Sequence, residues 1–237
     1  RVYDEWGFGR RLSLGKGLIA LFTGASGTGK TLSAEILAGD LGLDLYSVDL
    51  SCVISKYIGE TEKNLSRVFD DAQESNAILF FDEADALFGK RSEVKDAHDR
   101  YANIEIAFLL QRVEQYEGAI ILATNLSNNL DEAFVRRMHF SIEFPFPVER
   151  LRQRIWEGIF PAQAPLADDV DYEVLARQFK LSGGNIKNVA LAAAFNATED
   201  GGVIRMEHLI LALKREFQKL GRVCEKTVFE KYYELVR

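Results

Sequence analysis

The stretch TGASGTGKT, residues 23–31, decides how the rest of the chain is read. It contains G-x-x-x-x-G-K-T, running from Gly24 to Thr31, behind an apolar run at 18–23 and ahead of a helix-like segment at 29–40. That strand-to-helix context is what gives the spacing its meaning. Gly24, Gly27 and Gly29 permit backbone angles that turn successive amides toward an anion. A helix opening near Gly29 adds its positive N-terminal end. Lys30 supplies a point charge suited to β- and γ-phosphates, and Thr31 offers a hydroxyl to Mg²⁺. Thr28 and Leu32 flank this core and belong to the same expected nucleotide-contact set.

Working outward, short apolar runs without alternation recur at 43–50, 78–82 and 119–123, with a weaker one at 140–144. Each is rich in Ile, Leu, Val or Phe, as strands buried on both faces should be. Helix-like segments at 29–40, 61–74, 100–116 and 131–138 lie between them. This alternation predicts an α/β fold, a P-loop parallel sheet with helices on both faces. The pattern stops at FPFP, residues 144–147, where two prolines end the last strand. Beyond it the sequence predicts only helices: ERLRQRIWEGIF at 149–160, then 171–179, 185–198, 206–220 and 225–236. Two domains are expected: an α/β domain over 1–148 and a small all-α lid over 149–237 with a C-terminal helix.

A second charged feature follows the third apolar run. In AILFFDEAD, residues 77–85, the strand delivers Asp82 and Glu83 to its C-terminal end, the edge at which open α/β sheets bind ligands. Asp82 is expected to hold Mg²⁺, directly or through water, and Glu83 to polarise an attacking water as general base. The letters D-E-A-D also occur in RNA helicases. Those need two tandem ATPase domains and a Ser-Ala-Thr segment after this strand, whereas the next strand here ends LATN, residues 122–125.

Composition narrows the function classes. The 237 residues are 47% hydrophobic, and 29 Lys+Arg against 36 Asp+Glu give a formal charge of −7. An acidic balance disfavours broad electrostatic binding to nucleic acid or to anionic membranes. The apolar runs are far too short to span a bilayer. Two cysteines, Cys52 and Cys224, make no disulfide framework, so a reducing, cytoplasmic setting is expected. Neither they nor His98, His139 and His208 show metal-ligand spacing.

Four further stretches carry a family resemblance: SKYIGETEKNLSRVFDDA, ILFFDEADALFGKR, ILATN and LDEAFVRRMHFSIEFPFP. In order and spacing, residues 5–195 resemble AAA+ ATPases, most nearly the AAA clade of katanin-, spastin- and segregase-type remodellers. The resemblance implies strand order 5-1-4-3-2, a helical lid, and a ring, usually a hexamer, with ATP and Mg²⁺ as ligands. It implies that Asn125 senses the γ-phosphate or its water, and that Arg136 and Arg137 are arginine fingers reaching a neighbouring subunit's nucleotide. An arginine suits that task because its planar donors span phosphoryl oxygens and its charge persists. KLSGGNIKNVALAAAF, residues 180–195, resembles the lid segment that meets adenine and ribose, which brings in Gly184. DEWGFG, residues 4–9, resembles the linker that passes the adenine; Gly7 is expected there, with Trp6 either beside it or in the core. In ISKYIGETEKN, residues 54–64, Tyr57 and Ile58 precede Gly59 on an otherwise polar segment. In the family such a pair lines the central channel. The expected function is therefore a ring ATPase that remodels, unfolds or disassembles a protein substrate, chosen directly or by an adaptor. The alternative is a nucleotide-gated scaffold with little threading.

Overall fold

The computed structural model describes residues 5–7, 17–49, 60–85, 97–125 and 135–236. By its contacts the chain divides into two compact units, Arg1–Ala25 with Lys30–Phe144, and Ser26–Gly29 with Pro145–Arg237. The tip of the glycine-rich loop thus belongs with the helical unit, although its two flanks belong with the sheet.

The first unit is built on five parallel strands: β1 (Leu18–Thr23), β2 (Leu45–Val48), β3 (Ile78–Phe81), β4 (Ala119–Thr124) and β5 (Phe140–Glu143). Their order is β2-β3-β4-β1-β5, the expected 5-1-4-3-2 read from the other edge. Helices α1 (Lys30–Leu41), α2 (Glu60–Ser75) and α3 (Ala97–Gln115) connect them. The absence of alternation in the central strands has a simple cause, since both faces are covered. Ile19, Leu21, Leu79, Phe81, Ile120 and Leu122 pack with Leu65 and Phe69 of α2 and with Leu109 and Val113 of α3. Ala20, Phe22, Ile78, Phe80, Ile121 and Ala123 face the other way, toward Ala34 and Ala38 of α1. Small residues on α1 let its backbone lie close to the sheet.

The edge strands differ. Every residue of β5 is exposed. β2 is only four residues long, shorter than the apolar run at 43–50. Leu43 still packs beneath the sheet, but Asp44 precedes the ladder and its carbonyl instead accepts from Ile78 N at 2.8 Å. Of the helix expected at 131–138, residues 131–134 lie outside the described set, and from Arg136 the chain already turns toward β5.

The second unit consists of α4 (Glu149–Ile159), α5 (Tyr172–Gln178), α6 (Gly183–Glu199), α7 (Met206–Lys219), α8 (Lys226–Phe229) and α9 (Tyr233–Val236). Its core holds Trp156, Leu175, Phe179, Ile186, Val189, Leu209, Leu213 and Phe217. Phe179, Phe217 and Phe229 form an edge-to-face trio with centroids 5.1–6.0 Å apart, a preferred aromatic geometry. A single helix over 225–236 does not form. Glu230 takes φ 45°, which a right-handed helix cannot accommodate, and a 3₁₀ turn at Glu230–Tyr232 separates α8 from α9. The Glu230 carboxylate accepts from Gln178 Nε2 at 2.6 Å. Among the described residues no helix is long and apolar enough to cross a membrane.

Candidate active site

Three neighbouring strands, β3, β4 and β1, end at one edge of the sheet and bring most of the sequence-predicted residues there. After β1 the chain enters the glycine-rich loop with Gly24 at φ 145° and Gly27 at φ 75°. Both positions demand glycine for space as well as conformation. A Cβ on Gly24 would stand 2.2 Å from Phe144 O, and Phe144 is tied to the end of β1 through its N–H donating to Thr23 O at 2.7 Å. A Cβ on Gly27 would stand 2.5 Å from Ser182 Oγ.

Helix α1 then starts at Lys30, so its N-terminal dipole points into the loop. Lys30 is only 6% exposed. Its ammonium donates to Gly24 O at 2.7 Å, to Ala25 O at 3.1 Å and to Asn125 Oδ1 at 2.7 Å. All three N–H donors are thereby matched. Burial pulls the Lys30 pKa below its ordinary value, and the charges of Asp82 and Asp85 push it back up. Asn125 follows β4, which lies between β3 and β1, and its amide oxygen accepts from the loop lysine.

At the end of β3, the Thr31 hydroxyl donates to Asp82 Oδ2 at 3.5 Å, and Glu83 N donates to Asp82 Oδ1 at 2.9 Å. Glu83 sits at φ 50°, a left-handed conformation costing a non-glycine residue about 1–3 kcal/mol. Its exposed side chain projects from that turn, and Ala84 N, donating to Ala123 O at 2.9 Å, locks the turn to β4. Two residues of this cluster were not singled out from sequence. Thr124, wholly buried, donates its hydroxyl to the Asp85 carboxylate, and Asp85 is one of the two charges acting on Lys30. The signals available were the last letter of DEAD and the threonine before Asn125.

The arginines lie elsewhere. Arg136 and Arg137 occupy the exposed turn that precedes β5, and Arg137 Nε is ion-paired with Glu114 of α3. Because β5 runs parallel to β1 with Phe140 opposite Ala20, this turn lies at the N-terminal edge of the sheet. Gly24 is four residues further along than Ala20, about 13 Å at the rise of a parallel strand. His139 anchors the turn: its N donates to Ile19 O at 2.9 Å and its Nδ1 accepts from Ile19 N at 3.1 Å.

In the helical unit, Gly184 N donates to Gly27 O at 2.9 Å, and a Cβ on Gly184 would come 3.1 Å from Gly27 Cα. The close approach that this glycine permits is to the loop tip itself, where Thr28 also lies. Leu32, on the first turn of α1, is exposed. Gly7 adopts φ 77° with open space where a side chain would begin, and Trp6 is 66% exposed rather than in the core. Tyr57 and Ile58 fall in the β2–α2 connection, outside the described residues.

A lysine at the N-terminus of the helix after β1, an acidic strand end whose charge acts on it and a polar residue just past the strand between them form the arrangement found in P-loop nucleoside triphosphatases. Residues 20–147 match the family described as ATPase family associated with various cellular activities (AAA), and the chain belongs to that family. It is 34% identical over 82% of its length to the proteasome-activating nucleotidase of Aeropyrum pernix, covering 50% of that protein. It is 32% identical over 84% of its length to a 26S proteasome regulatory subunit 6B homolog of Dictyostelium discoideum, covering 49% of it. An uncharacterized AAA family ATPase of Sinorhizobium fredii is 40% identical over 54% of the chain, which covers 38% of that protein. The chain thus spans half or less of the length of these curated relatives.

Proposed function

We propose that this chain is the motor module of a ring ATPase, a hexamer in the family's usual form, that hydrolyses ATP to remodel protein substrates. The observation that carries this reading is the placement of one cluster and one exposed turn on opposite edges of the same sheet. Lys30, Thr31, Asp82, Glu83 and Asn125 gather at the C-terminal edge, and Arg136 and Arg137 stand at the N-terminal edge. Such a separation suits arginines that complete the site of an adjacent copy.

In the proposed mechanism the loop amides and Lys30 bind the β- and γ-phosphates. Thr31 and Asp82, whose side chains meet at 3.5 Å, would supply hard oxygen donors to Mg²⁺. The metal, when bound, neutralises charge developing on the phosphates. Glu83 takes the proton of the attacking water as the oxygen–phosphorus bond forms and ADP departs. Asn125 can accept from that water or donate to a phosphate oxygen. Arg136, and Arg137 once released from Glu114, would stabilise the transition-state charge in a neighbour's site. Gly24, Gly27, Thr28, Gly29 and Leu32 would contact the nucleotide, and the family resemblance gives Gly184 and Gly7 as contacts to its base and ribose.

A protein client is supported by the names of two relatives, which tie them to the proteasome, and by Tyr57 and Ile58 in the β2–α2 connection. The adjacent Arg136–Arg137 pair supports a place near the katanin- and spastin-type branch. The experiment is a steady-state assay of ATP hydrolysis and of unfolding of a permanently misfolded protein. Glu83→Gln should bind ATP yet turn over about a hundredfold or more slowly, and Tyr57→Ala should hydrolyse ATP without processing the protein. Unchanged turnover in Glu83→Gln would remove the general base from this account, and unimpaired processing by Tyr57→Ala would remove the channel.

A further inference from the structure

The helical unit buries a carboxylate that the proposed mechanism does not use. Glu216 on α7 is 4% exposed. Its Oε1 accepts from Asn185 Nδ2 at 2.8 Å and from Asn188 Nδ2 at 3.4 Å, and its Oε2 accepts from Lys219 Nζ at 2.9 Å. Burial alone would raise its pKa. The hydrogen bonds from Asn185, Lys219 and Asn188, with the charge of Lys219, outweigh burial and hold it below the ordinary value. Glu216 is therefore an anion at neutral pH.

An ionised carboxylate only accepts hydrogen bonds. The Asn185 amide must therefore turn its NH₂ toward Glu216, which points its Oδ1 at Ser182. There Oδ1 accepts from Ser182 Oγ at 2.6 Å and from Ser182 N at 3.4 Å, while Ser182 Oγ accepts from Asn185 N at 3.3 Å. This reciprocal pair is the capping box that starts α6. The same Ser182 hydroxyl is the atom a Cβ on Gly27 would strike, and Gly184 N in the first turn of α6 donates to Gly27 O at 2.9 Å. A continuous path of hydrogen bonds and one close contact thus runs from α7 to the tip of the phosphate loop.

We propose that Glu216 is a positioning residue for nucleotide binding: it sets the amide of Asn185, Asn185 sets the first turn of α6, and that turn sets the backbone of Gly27. The inference rests on the reading of the loop as the nucleotide site. It assigns the binding competence of the loop partly to a side chain with no direct contact with the loop. Buried networks of this kind act as a unit, so removing one acceptor frees the whole path.

The test titrates the 237-residue chain with a fluorescent ADP analogue and measures ATP turnover on the same samples. Glu216→Ala should weaken ADP binding about tenfold, the order expected when a charge-assisted hydrogen bond is lost. Turnover at saturating ATP should stay within about threefold, because binding is what has been removed. Glu216→Gln, whose carbonyl still accepts from Asn185, should bind within about twofold of the parent. Parent-like binding by Glu216→Ala, or binding as weak in Glu216→Gln as in Glu216→Ala, overturns the inference. If circular dichroism shows Glu216→Ala unfolded, Glu216→Met, of similar volume and without an acceptor, takes its place with the same expectation. Failure of both to fold while Glu216→Gln folds would assign Glu216 to stability instead. Lys30→Ala in the same titration separates the two readings. Parent-like binding by Lys30→Ala means the nucleotide site is misassigned, whereas weak binding by Lys30→Ala with parent-like Glu216→Ala sinks only the positioning role.

Discussion

Asn125→Ala tests the geometry of the site without any ligand. The Lys30 ammonium is buried and its three N–H groups have three acceptors, one of them Asn125 Oδ1 at 2.7 Å. Alanine at 125 leaves one N–H of a buried cation without a partner, which costs about 1–3 kcal/mol. For a chain of this size that lowers the melting temperature by about 2–12 °C, at 2–4 °C per kcal/mol. The decisive form is a double-mutant cycle with Lys30→Met, read by urea denaturation. In the Lys30→Met background no ammonium is left to orphan, so Asn125→Ala should cost about 0.5 kcal/mol or less. The coupling energy should therefore be about 0.5–3 kcal/mol, against the roughly 0.3–0.5 kcal/mol scatter of independent sites. Additive effects would show that the two side chains do not meet as described and would refute the reasoning.

Two other predictions concern the helical unit. Glu216 has its pKa lowered by folding, so the stability it contributes is present above the unfolded carboxylate range and is lost as pH falls through its folded pKa. Between neutral pH and about pH 3, urea midpoints of the parent should therefore fall more steeply than those of Glu216→Gln, and parallel profiles would contradict the ionised carboxylate. Arg152, buried on α4, donates from Nη1 to Pro147 O at 2.7 Å and from Nε and Nη2 to Ala176 O at 2.9 and 2.7 Å. Arg152→Met strands two buried carbonyls and should cost about 2–4 kcal/mol, seen as a lower urea midpoint in the fluorescence of the fully buried Trp156. An unchanged midpoint would mean the guanidinium does not hold these carbonyls.

The parallel sheet was legible because residues such as Ile19 to Phe22 must be apolar on both faces, which suppresses alternation and leaves an unmistakable run. The glycine-rich loop was legible because Gly24 takes φ 145° and passes so close to Phe144 O that a Cβ would stand 2.2 Å from it, which only glycine allows. The strand order came from family resemblance, since periodicity carries no information about neighbours. What stayed hidden depends on long-range partners. The tie of Glu216 to Asn185 spans 31 residues, and in sequence Glu216 is one more charge on an amphipathic helix. Arg137 gave no sign of its partner Glu114, 23 residues earlier. Asp85 and Thr124 looked like motif filler until the register of β3 against β4 set them together. The break at Glu230 is invisible to helix periodicity, because EKTVFEKYYELVR is amphipathic throughout.

The central claim, that each site is completed by an arginine from another copy, is tested most directly by mixing. Lys30→Ala lacks the loop lysine but keeps its arginine turn, and Arg136→Ala lacks the finger but keeps its loop. Each alone should hydrolyse ATP at a small fraction of the parent rate, with the loss of a finger costing about 10³-fold or more. Mixed in equal amounts under assembling conditions, they should recover a substantial part of the parent turnover, because some interfaces then pair an intact loop with an intact Arg136. Parent-like hydrolysis by Arg136→Ala alone, or a mixture no more active than its components when mixed assembly is verified, would contradict the account.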